Sequence, residues 1–160
     1  MPLATIPSNR LPGGTPLDRA WIASHIPHQG RMCLLDEVLS WDAVHIRCRA
    51  TSHRLADNPL RAHGRLGAAC GVEYAAQAMA VHGAIMAHTM GTRTRAGLLT
   101  SVRSLVLAAI RLDDVTTDLI ASATRLAGDE GSTLYEFTVS GGGRELLSGR
   151  ASIVFATESA

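Results

Sequence analysis

"GVEYAAQAMAVHGAIMAH", residues 71–88, is the most apolar stretch of the chain, and its reading decides the fold. Apolar residues fall on nearly every side of a 3.6-residue period, so a helix here must be buried on most of its circumference. Ala75, Ala76, Ala78, Ala80, Ala84 and Ala87 let neighbouring backbone approach closely, and Gly91 suits the C-terminal cap. The segment approaches membrane-spanning length but carries Glu73, Gln77, His82 and His88, which favours the core helix of a soluble domain. Glu73 lies in the first turn, and Gln77, four residues on, shares its face. A carboxylate is rarely buried without a partner, because desolvation costs several kcal/mol. Glu73 is therefore either an exposed first-turn acid, a common arrangement, or an acid kept for chemistry.

The segments flanking this helix read mostly as strands. In "AVHIRCRATS", residues 43–52, Val44, Ile46, Cys48 and Ala50 alternate with His45, Arg47, Arg49 and Thr51, a strand with one wet face. On that pattern His45 faces solvent, and His53, just beyond, has no stronger claim. "MCLLDEVLSW" precedes it across a turn near Asp42. After the helix come "GLLTSVRSLVLAA", "TTDLIASATRLA", "STLYEFTVS" and "RELLSGRASIVFA", separated by turns at Leu112–Asp114, "GDEG" and Gly141–Gly143. Such hairpin-like links predict an antiparallel sheet. One buried helix among about five antiparallel strands requires a curved sheet wrapped around it, the α+β arrangement known as the hotdog fold. Residues 1–14, with Pro2, Pro7, Pro12, Gly13 and Gly14, predict a mobile tail, and residues 15–160 a single domain. "TPLDRAWIASHI" predicts a short helix capped by Thr15, with Pro16 at its first position and Pro27 ending it. Residues 52–70 form an irregular link.

The totals exclude several function classes. A net charge of +1 leaves no basic surplus for nucleic acid, and 4% aromatics leave little to stack on bases. Cys33, Cys48 and Cys70 show no C-x-x-C spacing, and the last two read as small buried hydrophobes, which fits a reducing cytoplasm. The first 16 residues hold no apolar run of signal-peptide length. His25 and His28 form an H-x-x-H, but no third ligand stands nearby at metal-site spacing, so no metal is expected.

The motifs then resemble a known family. "IPHQGRMCLLDEVLSWD", residues 26–42, resembles the I/L-P-H-R-x-P-M/F-L-L-x-D opening of the β-hydroxyacyl-acyl-carrier-protein dehydratases. "GVEYAAQAMAVHG" is similar to their central-helix signature, in which a glutamate is followed four residues later by glutamine. The resemblance runs from about residue 17 to 156 and is nearest to the branch associated with aryl-polyene and related pathways. The housekeeping members carry G-H-F-P-x-x-P-x-x-P-G before the helix, with a catalytic histidine. Here "RAHGRLGAACG" is shorter and lacks those prolines. Counted from Asn58–Pro59, His63 falls near that histidine; counted back from Glu73, it falls four residues too close.

The resemblance implies dehydration of a β-hydroxyacyl thioester, on acyl carrier protein or coenzyme A, to the trans-2-enoyl thioester. That reaction needs a base for the α-proton, an acid for the departing hydroxyl and donors for the enolate-like oxygen. Glu73 is placed as the acid, and His28 and His63 compete to be the base. Backbone donors would come from the helix start around Gly67, Ala68 and Gly71, and Gln77 would orient Glu73 or face a partner subunit. Burial raises a carboxyl pKa and a helix N-terminus lowers it, so the sequence leaves the charge of Glu73 open. No cofactor is implied. The family pattern implies a homodimer, or a heterodimer with another hotdog chain. A hotdog thioesterase, or a non-catalytic subunit of a heteromeric dehydratase, stands as the alternative.

Overall fold

The computed structural model describes residues 8–157. Helix α1 (Arg19–His25) precedes strands β1 (Glu37–Trp41) and β2 (His45–Ala50). The central helix α2 (Gly71–Thr89) is followed by β3 (Gly97–Leu107), β4 (Leu119–Gly128), β5 (Ser132–Gly141) and β6 (Arg144–Phe155). All six strands join one antiparallel sheet in the order β1-β2-β4-β5-β6-β3. Helix α2 packs on β2, β4 and β5. This is the hotdog fold.

Local chemistry sets the hairpins. Asp129 Oδ1 accepts from Gly131 N at 2.7 Å and Ser132 N at 3.0 Å, closing the β4–β5 turn. Gly142 and Gly143 have φ of 62° and 73°, as a tight two-residue β5–β6 turn requires. One expected hairpin is absent. β3 does not pair with β4 but crosses to the far side of the sheet and pairs with β6 alone. Alternation marks a strand without naming its neighbour, so the sequence could not place this one.

α2 is buried along Tyr74, Ala75, Ala78, Met79, Val81, Ala84 and Ile85. Its start is pressed against β6: a Cβ on Gly71 would lie 2.4 Å from Leu147 Cδ2. The cap of α1 is Asp18, whose carboxylate accepts from Trp21 N at 3.0 Å, rather than Thr15. The expected mobile tail falls on residues 1–7, outside the described residues, and on 8–14, which are docked. Ser8 bridges to Trp41, Leu11 is buried, and Trp41 Nε1 donates to Arg10 O at 3.0 Å.

Two histidines differ from their sequence reading. His45 is exposed as expected, but His53 is fully buried, with Nε2 against the carbonyls of Val115 (3.0 Å) and Thr117 (2.9 Å). His82, also fully buried, stands 2.6 Å from the Tyr135 hydroxyl at Nδ1 and 2.8 Å from the Asp42 carbonyl at Nε2. Burial pushes the Tyr135 phenol up to about 12, so it stays a donor to Nδ1. His82 is then the neutral Nε2–H tautomer, tying helix, sheet and β1–β2 turn together. Burial lowers the pKa of both His53 and His82 below the ordinary 6.5. The unfolded chain takes up these protons near 6.5 and the folded chain only at lower pH. Stability is therefore complete above that value and is lost as pH falls through the folded pKa values. The melting temperature should drop between about pH 7 and about pH 5, and His82→Gln should flatten part of that drop. Identical pH slopes for the two proteins would remove His82 from the account.

Candidate active site

Pro27 lies between helix α1 and the segment carrying His28, and its ring fixes the local backbone. There His28 Nε2 lies 3.1 Å from Glu73 Oε1, in the first turn of α2. The same carboxylate oxygen accepts from Gln77 Nε2 at 3.2 Å. The two side chains of the pair are 26% and 32% exposed, so the pair is open on one side to whatever approaches it. His28 Nδ1 is buried without a protein partner among the described residues. The hydrogen bond from His28 lowers the Glu73 pKa; burial opposes this, and Gln77 and the charge of His28 add to the lowering. Glu73 is a carboxylate in the isolated chain.

Gln77 is fully buried and holds the loop as well as the acid. Its Oε1 accepts from Leu34 N at 2.9 Å, and its Nε2 donates to Met32 O at 2.7 Å. The Leu34 carbonyl accepts from Ser52 Oγ at 2.8 Å. Ser52 Oγ lies 2.8 Å from the Tyr74 hydroxyl, to which Asn58 Nδ2 donates at 3.0 Å. A chain of polar groups thus runs behind the pair, from α2 through the 32–34 segment to the 52–58 link. Ser52, Tyr74 and Asn58 were invisible to sequence reasoning as site-related residues. The one available signal was Tyr74, a hydroxyl set beside Glu73 in an otherwise apolar helix.

The other expected residues sort differently. His63 stands on the exposed Ala62–Arg65 turn, with φ of 53° and no bond to Glu73. Ala68 donates its N–H to Ile110 O at 3.1 Å, and the Gly71 N–H is directed to the Ala68 and Ala69 carbonyls. Neither N–H is free for an oxyanion, and Gly71 serves the contact with Leu147. Gly67 caps the short turn Ala68–Cys70 that leads into α2. His25 stacks on Trp21 at 3.9 Å between ring centroids, away from His28's partner. Among the described residues no group of three or more His, Cys, Asp or Glu is arranged to hold a metal ion. None of their helices is long and apolar enough to cross a membrane.

This geometry coincides with a family match. The family described as ApeP-like, ApeP dehydratase, matches residues 20–160. The chain belongs to the ApeP-like dehydratase family. Among solved structures, the dehydratase heterocomplex ApeI:P from Xenorhabdus doucetiae matches with a TM-score of 0.76 at 22% identity, covering 86% of this chain and 91% of that one. A putative thioesterase from Shewanella oneidensis matches with a TM-score of 0.60 at 12% identity, covering 87% and 94%. A hypothetical thioesterase with coenzyme A from Streptococcus pneumoniae gives 0.52 at 11% identity, covering 78% and 88%. At these identities the structures speak for the fold. No curated protein matches the sequence significantly.

The role of Gln77 is open to test. Gln77→Leu keeps the volume but leaves the buried Leu34 N–H unpaired and the half-buried Met32 carbonyl without its donor. An unpaired buried group costs about 1–3 kcal/mol and a half-buried one less, so the variant should lose roughly 2–4 kcal/mol in urea unfolding. A loss below about 1 kcal/mol would mean that water or a rearranged loop satisfies both groups.

Proposed function

We propose that this chain dehydrates a β-hydroxyacyl thioester carried by acyl carrier protein to the trans-2-enoyl thioester, as a cytoplasmic enzyme of a fatty-acid or polyene-like pathway. One observation carries the reading: an imidazole and a carboxylate 3.1 Å apart, on the two segments that hold the family motifs. His28 is the base for the α-proton and Glu73 the acid for the departing hydroxyl. Gln77 positions both, by bonding the carboxylate and by fixing the segment next to His28. The three cysteines are all free, in keeping with a reducing compartment.

Glu73 is a carboxylate before substrate arrives, so the acid role requires that it take up a proton. A thioester lying over the site displaces water from both groups. In that drier setting a neutral carboxyl costs less than a buried carboxylate. Glu73 then takes up a proton as the site closes and holds it for the departing hydroxyl. Two hollows of about 260 and 230 Å³ lie among β3, β5 and β6, with neither His28 nor Glu73 in their walls. A second hotdog chain over the open β3 edge would add further surface for the acyl chain.

That edge supports a second reading, in which the chain contributes its pair to a site completed by a different hotdog chain and has no activity alone. Leu99 and Leu107 share the inner phase of β3 with Val102 yet are 42% and 47% exposed, because α2 lies under β2, β4 and β5 instead. The ApeI:P structure is itself a heterocomplex.

Two measurements decide. With β-hydroxyacyl-acyl carrier protein as substrate, Glu73→Gln should keep the fold and lose about 10²-fold or more of enoyl formation. A rate within about tenfold of wild type would end the acid role. His28→Ala should abolish turnover, and His63→Ala should leave most of it. A dead His63→Ala beside an active, folded His28→Ala would move the base to the 62–65 turn. Free thiol released without enoyl product would identify a thioesterase.

A further inference from the structure

The outer face of the sheet holds a charge arrangement that the proposed chemistry does not use. Arg103 on β3 lies directly opposite Arg150 on β6, and Arg150 lies opposite Glu136 on β5. Like charges directly opposite across two strands are destabilising. Arg150 has its counter-ion, Glu136, at 3.6 Å. Arg103 is exposed, bonds to nothing among the described residues, and stands on the open edge strand. A hollow of about 260 Å³ lies beside it, walled by Arg103, Leu134, Arg150 and Ser152. From Gly91 to Leu112 the chain has Arg93, Arg95, Arg103 and Arg111 and no acid at all.

β3 nevertheless has to be covered. Its unpaired main chain is flanked by Leu98 and Val106, which are 71% and 58% exposed on the outer face. A second copy is the simplest cover, and its geometry can be worked out. Val102 is the middle of the 11-residue strand, so the antiparallel pairing of greatest overlap sets Val102 against Val102 and Arg103 against Ser101. The two Arg103 side chains are then diagonal neighbours about 7–8 Å apart, within reach of each other. Each has an Arg150 beside it one strand away, about 4.8 Å. Both Glu136 carboxylates lie a further strand out and are already engaged. The centre of a self-paired sheet would carry two cations without anions.

We propose that Arg103 and Arg150 select the chain that covers the β3 edge: they disfavour a second copy and favour an edge strand that brings a carboxylate between them. This rests on the reading that a second hotdog chain covers β3, and it names the chemistry by which that chain is selected. The test supplies the acid on this chain itself. Wild type and Arg103→Glu, made with distinguishable masses, are measured by native mass spectrometry and sedimentation, separately and mixed, in low salt. The mixed pair should form at least about tenfold more tightly than either pair of like chains and should weaken in high salt. Arg103→Gln, which removes the charge with the least change of shape, should tighten self-association and covers the case in which Arg103→Glu fails to fold. A wild-type pair as tight as the mixed pair, or self-association unmoved by Arg103→Gln, would overturn the proposal. The readout is mass, so loss of dehydratase activity in its own assay would leave this result standing, and the reverse.

Discussion

The amide of Gln77 is the joint on which the site depends. It is buried in a helix that is otherwise apolar, and it has three hydrogen bonds, to Leu34 N, Met32 O and Glu73 Oε1. A buried primary amide is costly unless its donors and acceptor are all used. Here the requirement fixes geometry: the 32–34 segment can pass the helix in only one register, and that register brings His28 to Glu73. A carboxylate and an imidazole 45 residues apart in sequence are thereby held within one hydrogen bond. The bonds behind the segment, from Ser52 to the Leu34 carbonyl and from Tyr74 and Asn58 to Ser52, close the alternative of sliding along the helix.

The same helix explains why the sheet is unfinished. Its alanines permit β2, β4 and β5 to come close, and a narrow helix covers only part of a six-stranded sheet. β3 is left with an uncovered inner face as well as an unpaired edge. Soluble proteins normally blunt or cover such edges. The two exposures call for one remedy, another chain that adds a strand and lays its own helix beneath. Close packing at the core and incompleteness at the rim are thus two results of one choice of residue size.

Much of this was legible in the sequence, for definite reasons. The buried helix showed itself because apolar residues circle it, and β2, β5 and β6 because their phases alternate cleanly against one wet face. The hotdog arrangement followed from needing to cover such a helix with antiparallel strands. The Glu73–Gln77 relation was visible as a spacing. What stayed hidden depends on which distant segments meet. Alternation in β3 cannot say that it joins β6 across the sheet. A histidine after a strand gives no sign that its ring will turn inward onto two carbonyls, as His53 does. Ala68 and Gly71 looked like oxyanion donors because they start a helix, but donors there are used by a crossing strand segment and by the preceding turn.

The two histidines show how differently backbone constraint can hold an imidazole. His63 has a left-handed φ of 53°, a strained state for a residue with a Cβ, and its turn is held by the reciprocal Ala62–Arg65 bonds and a long 3.5 Å bond from Arg61 to the Gly64 carbonyl. It is exposed, and its ring has no hydrogen-bond partner among the described residues. His28 has a fixed backbone on one side, a buried Nδ1 on the other and Glu73 in front. Because Nδ1 faces the interior, only Nε2 can exchange a proton with a ligand, and Nε2 already faces the carboxylate. Any proton that His28 takes from a substrate must therefore be taken at the nitrogen Glu73 now occupies. On the proposed mechanism the Glu73 carboxyl would turn aside as it delivers its proton, which would couple removal of the α-proton to loss of the hydroxyl. A pair so arranged would favour elimination on a single face of the substrate, because the imidazole and the carboxyl stand on the same side of it.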